Sequence, residues 1–272
     1  MGTSSPVHPW RRPPKGWIGR TASLARILRK AGAILVGFLV WHFVARAVGS
    51  SLILPFPREV ISAFFKLAAE PRFWLAVGGT TARVVAAFLL SALAGTLTGI
   101  LAGIYPGFSD FLSPYLTAIR STPVLALILL AMFWLPTSLV PVFSAFLMAY
   151  PVVHTSAYTG FLSLDEEYEE MARLFRVPKP VSFVQMRLPS AGRHLLAAAG
   201  NAMGLCWKVV VAGEVLAQPA RALGTGLQDM RLALETPGVF AWAFATILLC
   251  GLSEAALGRA FPGKAYEGRQ SR

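Results

Sequence analysis

A charged island from Asp165 to Arg193 breaks a chain that is otherwise close to uninterrupted membrane-grade hydrophobe. Upstream of it no Asp, Glu, Lys or Arg occurs from Ser121 to Leu164, room for two apolar spans of about 20 residues each. Charge of such density cannot rest in hydrocarbon, so the island must lie in water at the ends of membrane-crossing segments. Those segments satisfy their own backbone polar groups as helices, and an all-α integral membrane protein is therefore expected.

The island has an internal order. Ser163 followed three residues later by Glu166 is a capping-box spacing, which predicts a helix start. Asp165, Glu166, Glu167, Glu169 and Glu170 crowd its first turns, while Arg173 and Arg176 lie toward its end, matching the helix dipole. Pro178 and Pro180 restrict the residues before them, so this helix is expected to stop near Arg176. Taken as charge alone, the island also reads as a solvated loop between helices.

Composition agrees with the membrane. The 272 residues are 55% hydrophobic and 14% charged, with a mean hydropathy of +0.59. A net charge of +12 and a pI near 10.4 would suggest nucleic acid in a soluble protein, but the placement of the cations argues against it. Arg11, Arg12, Lys15, Arg20, Arg26, Arg29 and Lys30 precede the first apolar run. Arg173, Arg176, Lys179, Arg187 and Arg193 sit in the island, and Arg259, Lys264, Arg269 and Arg272 near the end. That is a positive-inside distribution, which puts the island and both termini on the cytoplasmic side of the inner (plasma) membrane. The Pro-rich basic start can lie on anionic headgroups. A secretory signal is its rival reading, but no small-residue cleavage site is clear and the apolar run continues to about Val48.

Six spans are expected, at about 29–48, 78–104, 115–135, 138–160, 194–216 and 238–258. Residues 1–28 form a basic tail, 29–260 the transmembrane domain and 261–272 a second tail. Ser91, Gly95, Gly99 and Gly103 make a small-residue stripe that lets helix backbones approach closely, and Gly200 and Gly204 repeat it in the fifth span. Pro136 and Pro141 bracket the turn between spans three and four, and Pro151 lies inside the fourth. Between spans one and two, Val60, Ile61, Phe64, Phe65 and Leu67 recur at helical spacing, as in a short interfacial helix.

Charges inside spans are few: Arg83, Lys208, Glu214 and Glu254. Arg83 and Glu254 lie near span ends and can snorkel. Lys208 and Glu214 are six residues apart on different faces of one helix and should not pair with each other; Lys208 is either a cation in an anion pathway or the partner of another helix. Catalytic chemistry has no foothold. There is no Gly-x-x-x-x-Gly-Lys-[Ser/Thr] phosphate loop and no Gly-x-Ser-x-Gly elbow, and His8, His42, His154 and His194 show no metal-ligand spacing. Cys206 and Cys250 fall within spans, which excludes a disulfide framework. No catalytic or metal-binding residue is assigned.

Glu170-Met171-Ala172-Arg173, Leu174-Phe175-Arg176 and Leu188-Pro189 together resemble the EAA loop of ABC-importer permeases. Met171 replaces the first Ala of that pattern and Arg176 its Gly. Leu54-Pro55-Phe56-Pro57, Thr81-Ala82-Arg83-Val84, Arg120-Ser121-Thr122-Pro123, Trp207 to Glu214 and Leu223-Gly224-Thr225-Gly226 extend the likeness over roughly residues 50 to 260. They resemble the nitrate/sulfonate/taurine/bicarbonate branch of the type I importers. The resemblance implies a type I permease fold with a core region at about 74–258 and a cytoplasmic coupling helix made by Glu170, Met171, Ala172, Arg173, Leu174, Phe175 and Arg176. It further implies a homodimer, two ATP-binding subunits that carry ATP and Mg2+, and an extracytoplasmic substrate-binding protein, with membrane lipid around it. This chain itself would bind no cofactor and no nucleic acid. Thr122, Met203, Trp207 and Lys208 are the candidate pathway residues. The expected cargo is a small anion such as a sulfonate, nitrate or bicarbonate; the alternatives are an organic cofactor precursor carried by the same machinery, or a secondary transporter. A secondary transporter would show internal repeats, and none is visible.

Overall fold

The computed structural model describes residues 17–164 and 166–260, which form helices joined by short connections, with no strand among those residues. Asp165, the first part of the basic tail and the segment 261–272 lie outside the described residues. Two compact units divide at Arg58 and Glu59.

The first unit carries α1 (Trp17–Val48), which begins well before the expected start near residue 29. Gly49 ends it with φ +66°, its N–H donating to the Ala45 carbonyl at 3.1 Å, a left-handed stop that glycine adopts without strain. The chain then folds back on α1: the Trp41 indole donates to the Pro55 carbonyl at 3.1 Å, and His42 meets the Phe56 ring at 5.6 Å.

All but the first two residues of α2 (Pro57–Ala68) belong to the second unit; this is the short amphipathic helix expected there, which buries Val60 and Leu67 and exposes Ile61 and Phe65. Next come α3 (Pro71–Ile104), α4 (Pro106–Ser121), α5 (Val124–Ala131) and α6 (Val140–Leu162). The island holds α7 (Glu166–Leu174) and α8 (Lys179–Ser182), and a π turn (Phe183–Arg187) leads into α9 (Leu188–Ala217). α10 (Leu223–Leu232) and α11 (Thr236–Ala260) complete it.

α6 is the centre, packed along α3 on one side and α9 on the other. The small-residue stripe makes the first contact possible. A Cβ added at Gly95 would lie 2.7 Å from the Val153 side chain, and one at Gly99 2.5 Å from the His154 carbonyl. The second stripe is only half used: Gly204 meets the Glu254 carboxylate of α11, whereas Gly200 faces open space. Trp207, Val84, Ala149, Val210 and Trp242 form the main core, where α3, α6, α9 and α11 converge. Phe64 of α2 closes its edge against Phe73 and Phe244.

Four of the six expected spans are single helices long and apolar enough to cross a bilayer: α3, α6, the run Pro180–Ala217 and α11. The first span carries a shorter apolar stretch, Gly32–Val48. The third is a correction. The segment expected as one helix over 115–135 is broken at Thr122-Pro123 into α4 and α5, which meet at 99°. Pro123 has no N–H to continue the ladder and pushes Thr122 out of helical geometry, to ψ 126°.

Candidate functional site

The island is a closed excursion between the end of α6 and the start of α9. Ser163, expected to open the island helix, instead closes α6: its N–H donates to the Thr159 carbonyl and its hydroxyl to the Gly160 carbonyl. That hydroxyl also lies 3.4 Å from Ser190 Oγ and 3.3 Å from His194 Nε2. A few residues on, the Arg187 guanidinium rests over the Phe161 ring at 5.3 Å, and Phe183 packs on the same ring at 5.7 Å. Both feet of the excursion are therefore pinned to one helix end.

Between the feet lies α7. Glu170, Met171, Arg173, Leu174, Phe175 and Arg176 are exposed, with Leu174 and Phe175 each 77% accessible. Ala172 is half-buried, as is Val177. The helix ends in a Schellman turn: the Val177 N–H donates to the Ala172 carbonyl at 2.9 Å and the Arg176 N–H to the Arg173 carbonyl at 3.1 Å. The turn requires a left-handed residue, and Arg176 supplies it at φ +49°. Losing the family's glycine does not loosen the turn; an arginine adopts the strained conformation instead.

A second polar constellation lies at the far end of α9. The Glu214 carboxylate is fully buried, so it requires a cation and several donors. It finds them on α3 and on the chain entering α10. Arg83 Nη1 pairs with it at 2.9 Å, the Thr80 hydroxyl lies 2.9 Å from both of its oxygens, and the Gly224 N–H donates at 3.1 Å. Thr80 Oγ1 in turn accepts the Leu223 N–H at 2.9 Å. Arg83 also donates to the carbonyls of Ala220 and Arg221 at 3.0 and 3.3 Å. Arg83 is thus not a snorkelling residue, because three acceptors hold its guanidinium against the bundle. The connecting segment carries Gln218 and Arg221 at φ 49° and 54°, strain held by the same contacts. Gly224 is required by close approach, since a Cβ there would fall 2.5 Å from the Glu214 side chain.

The candidate pathway residues separate. Met203 and Trp207 line a cleft of ≈ 290 Å³ with Thr81, Val84, Ser253 and Leu257, and the Trp207 indole donates to Ser253 Oγ at 3.0 Å. Lys208 is exposed and, among the described residues, makes no ion pair. Thr122 sits at the α4–α5 break with its hydroxyl donating to the Ala118 carbonyl at 2.7 Å. Glu254 does not snorkel freely either: its carboxylate lies against Gly204 and accepts from the Cys250 thiol at 3.6 Å. Both cysteines are free. Sequence reasoning overlooked Thr80, although it lies three residues before Arg83 on the same helical face. It also overlooked Arg120 as an intramembrane charge, although Arg120 falls inside the expected third span.

A family model described as "Binding-protein-dependent transport system inner membrane component" matches residues 95–262. The nitrate import permease protein NrtB of Synechocystis sp. is 26% identical over 208 residues, covering 70% of this chain and 72% of that protein. The formylaminopyrimidine transport permease protein ThiX of Halalkalibacterium halodurans is 26% identical over 224 residues, covering 82% and 89%. The fold matches a chain of the MetNI methionine ABC transporter in an inward-facing conformation, with a TM-score of 0.57 at 18% identity, covering 71% of this chain and 97% of that one.

Arg83→Met strands the buried Glu214 charge and is expected to cost about 3–5 kcal/mol, read as a lowered melting temperature in detergent. The double variant Arg83→Met with Glu214→Leu removes both charges and should recover much of that loss. Arg176→Gly should relieve about 1 kcal/mol at the Schellman turn, slowing amide exchange of Val177 roughly fivefold without altering the rest of the bundle.

Proposed function

Because the chain belongs to the binding-protein-dependent transport system inner membrane component family, we propose that it is the permease subunit of an ATP-driven importer of a small anion, such as nitrate, a sulfonate or bicarbonate. The observation that carries the reading is α7, an exposed charged helix held at both feet within an otherwise apolar bundle. Leu174, Phe175 and Met171 offer an apolar centre, and Glu170 and Arg173 a charged rim, the composition of a docking surface.

In this reading two copies of the chain enclose the pathway, and two ATP-binding subunits, carrying ATP and Mg2+, dock on α7. A substrate-binding protein delivers cargo from the opposite face. Closure of the ATPases moves α7 as a rigid body, and its two anchored feet pass that motion to α6 and α9 together. Both termini lie in the cytoplasm. Met203, Trp207 and Lys208 on α9, with Thr122 at the helix break, are the candidate contacts along the pathway. Lys208, exposed and without an ion-pair partner among the described residues, has the charge an anion needs.

The same machinery carrying an organic cofactor precursor is the second reading, and the relative named for formylaminopyrimidine transport supports it. Mass spectrometry of chains that co-purify in mild detergent separates the two, because the binding protein's own ligand names the cargo.

Glu170→Lys or Ala172→Trp should reduce co-purification of the ATPase or substrate-stimulated ATP hydrolysis by about tenfold while the permease stays folded. Unchanged values of both would remove α7 from the mechanism.

A further inference from the structure

We infer that Arg120, at the break between α4 and α5, forms an anion-binding site midway through the bundle, for a small oxyanion that offers two or more oxygens to a guanidinium. Its role as a step for cargo rests on the anion-importer reading above.

The position is set by α6. Arg120 Nη2 donates to the Pro151 carbonyl at 3.1 Å and to the Thr155 hydroxyl, one turn apart on the same face. Pro151 lies eleven residues from each end of α6 (Val140–Leu162), about 17 Å either way at helical rise. A helix that crosses the bilayer thus carries this guanidinium near the midplane, where an ionised side chain is costly unless water, a partner or a ligand meets it.

No carboxylate among the described residues meets it. A guanidinium has five N–H donors, and α6 takes only the two on Nη2. Among the described residues the hydrogens on Nε and Nη1 reach no acceptor, and no carboxylate pairs with Arg120. The adjacent hydroxyls of Ser121 and Thr122 carry no charge to offset it, and both donate to the Ala118 carbonyl. Arg83 shows the contrast: it has a carboxylate and two carbonyls.

Access follows from the bend. In a continuous helix, residues 123 and 124 would stack on Arg120 as the next turn. The 99° turn at Thr122-Pro123 swings them away and leaves the side chain exposed. The result is a planar, uncompensated cation anchored by one nitrogen and open at the others. That arrangement suits nitrate, a sulfonate or bicarbonate better than a neutral or cationic solute.

The test uses the assembled transporter in lipid nanodiscs, treated with phenylglyoxal and read by peptide mass spectrometry. Nitrate or methanesulfonate should slow modification of Arg120 about tenfold relative to chloride at equal ionic strength, because a single-atom anion cannot offer two oxygens to the guanidinium. In proteoliposomes, Arg120→Met should cut uptake of the protecting anion at least about tenfold, with Arg120→Lys retaining more, at unchanged melting temperature and ATPase co-purification. Equal modification rates in all three anions would overturn the site. So would a fall in melting temperature and assembly for Arg120→Met that Arg120→Lys does not rescue, because that marks a tie to α6 and nothing more. Protection without anion uptake by the wild-type transporter would uphold the site and remove small anions as the cargo.

Discussion

A fully buried carboxylate governs how the far end of this bundle is built. Glu214 sits on α9 where no water reaches it, and an unpaired charge there would be untenable. It recruits Thr80 and Arg83 from α3 and the Gly224 N–H from the start of α10. Arg83 in turn gathers the carbonyls of Ala220 and Arg221. One side chain thereby fixes the register of two long helices and the path of the segment between α9 and α10. Apolar packing alone would not do this, since lipid offers as good a surface as another helix.

The other end of α9 is fixed by different means. There the island leaves α6 at Ser163 and returns through Arg187 and Phe183, both packed on Phe161. α9 thus joins an exposed helix at one end to a rigid polar clamp at the other, through the core residues Trp207 and Val210. In the proposed importer, a displacement of α7 would reach a helix held at its far end, with the cleft beside Met203 and Trp207 along its length.

Much of this was legible in the residues. The apolar runs located four of the six expected spans as single helices, the charge pattern located α7, and the Ser91-to-Gly103 stripe identified the face that meets α6, because each signal is local and periodic. What was missed depends on contacts distant in sequence or on backbone conformations foreign to the residue present. Arg83 lies 131 positions from Glu214, so its pairing leaves no local trace and snorkelling was the natural expectation. Arg176 takes a left-handed conformation that arginine rarely adopts, and only the family's glycine at that place hints at it. The break at Thr122-Pro123 did carry a signal, since proline restricts the residue before it, but hydropathy ran across it and concealed two helices as one. Gly200 and Gly204 share a spacing, and only the tertiary structure distinguishes the glycine that meets α11 from the one that does not.

The central claim is that the Glu214 carboxylate organises the segment from Gln218 to Gly224. Hydrogen–deuterium exchange of the assembled permease, comparing wild type with Glu214→Gln, measures this directly at the amides concerned. The account predicts that the Leu223 and Gly224 amides exchange at least about tenfold faster in the variant, while amides along the α3–α6 contact keep their protection. Unchanged exchange at Leu223 and Gly224 in a folded variant would contradict it, and would show that the segment is held by packing rather than by the buried charge.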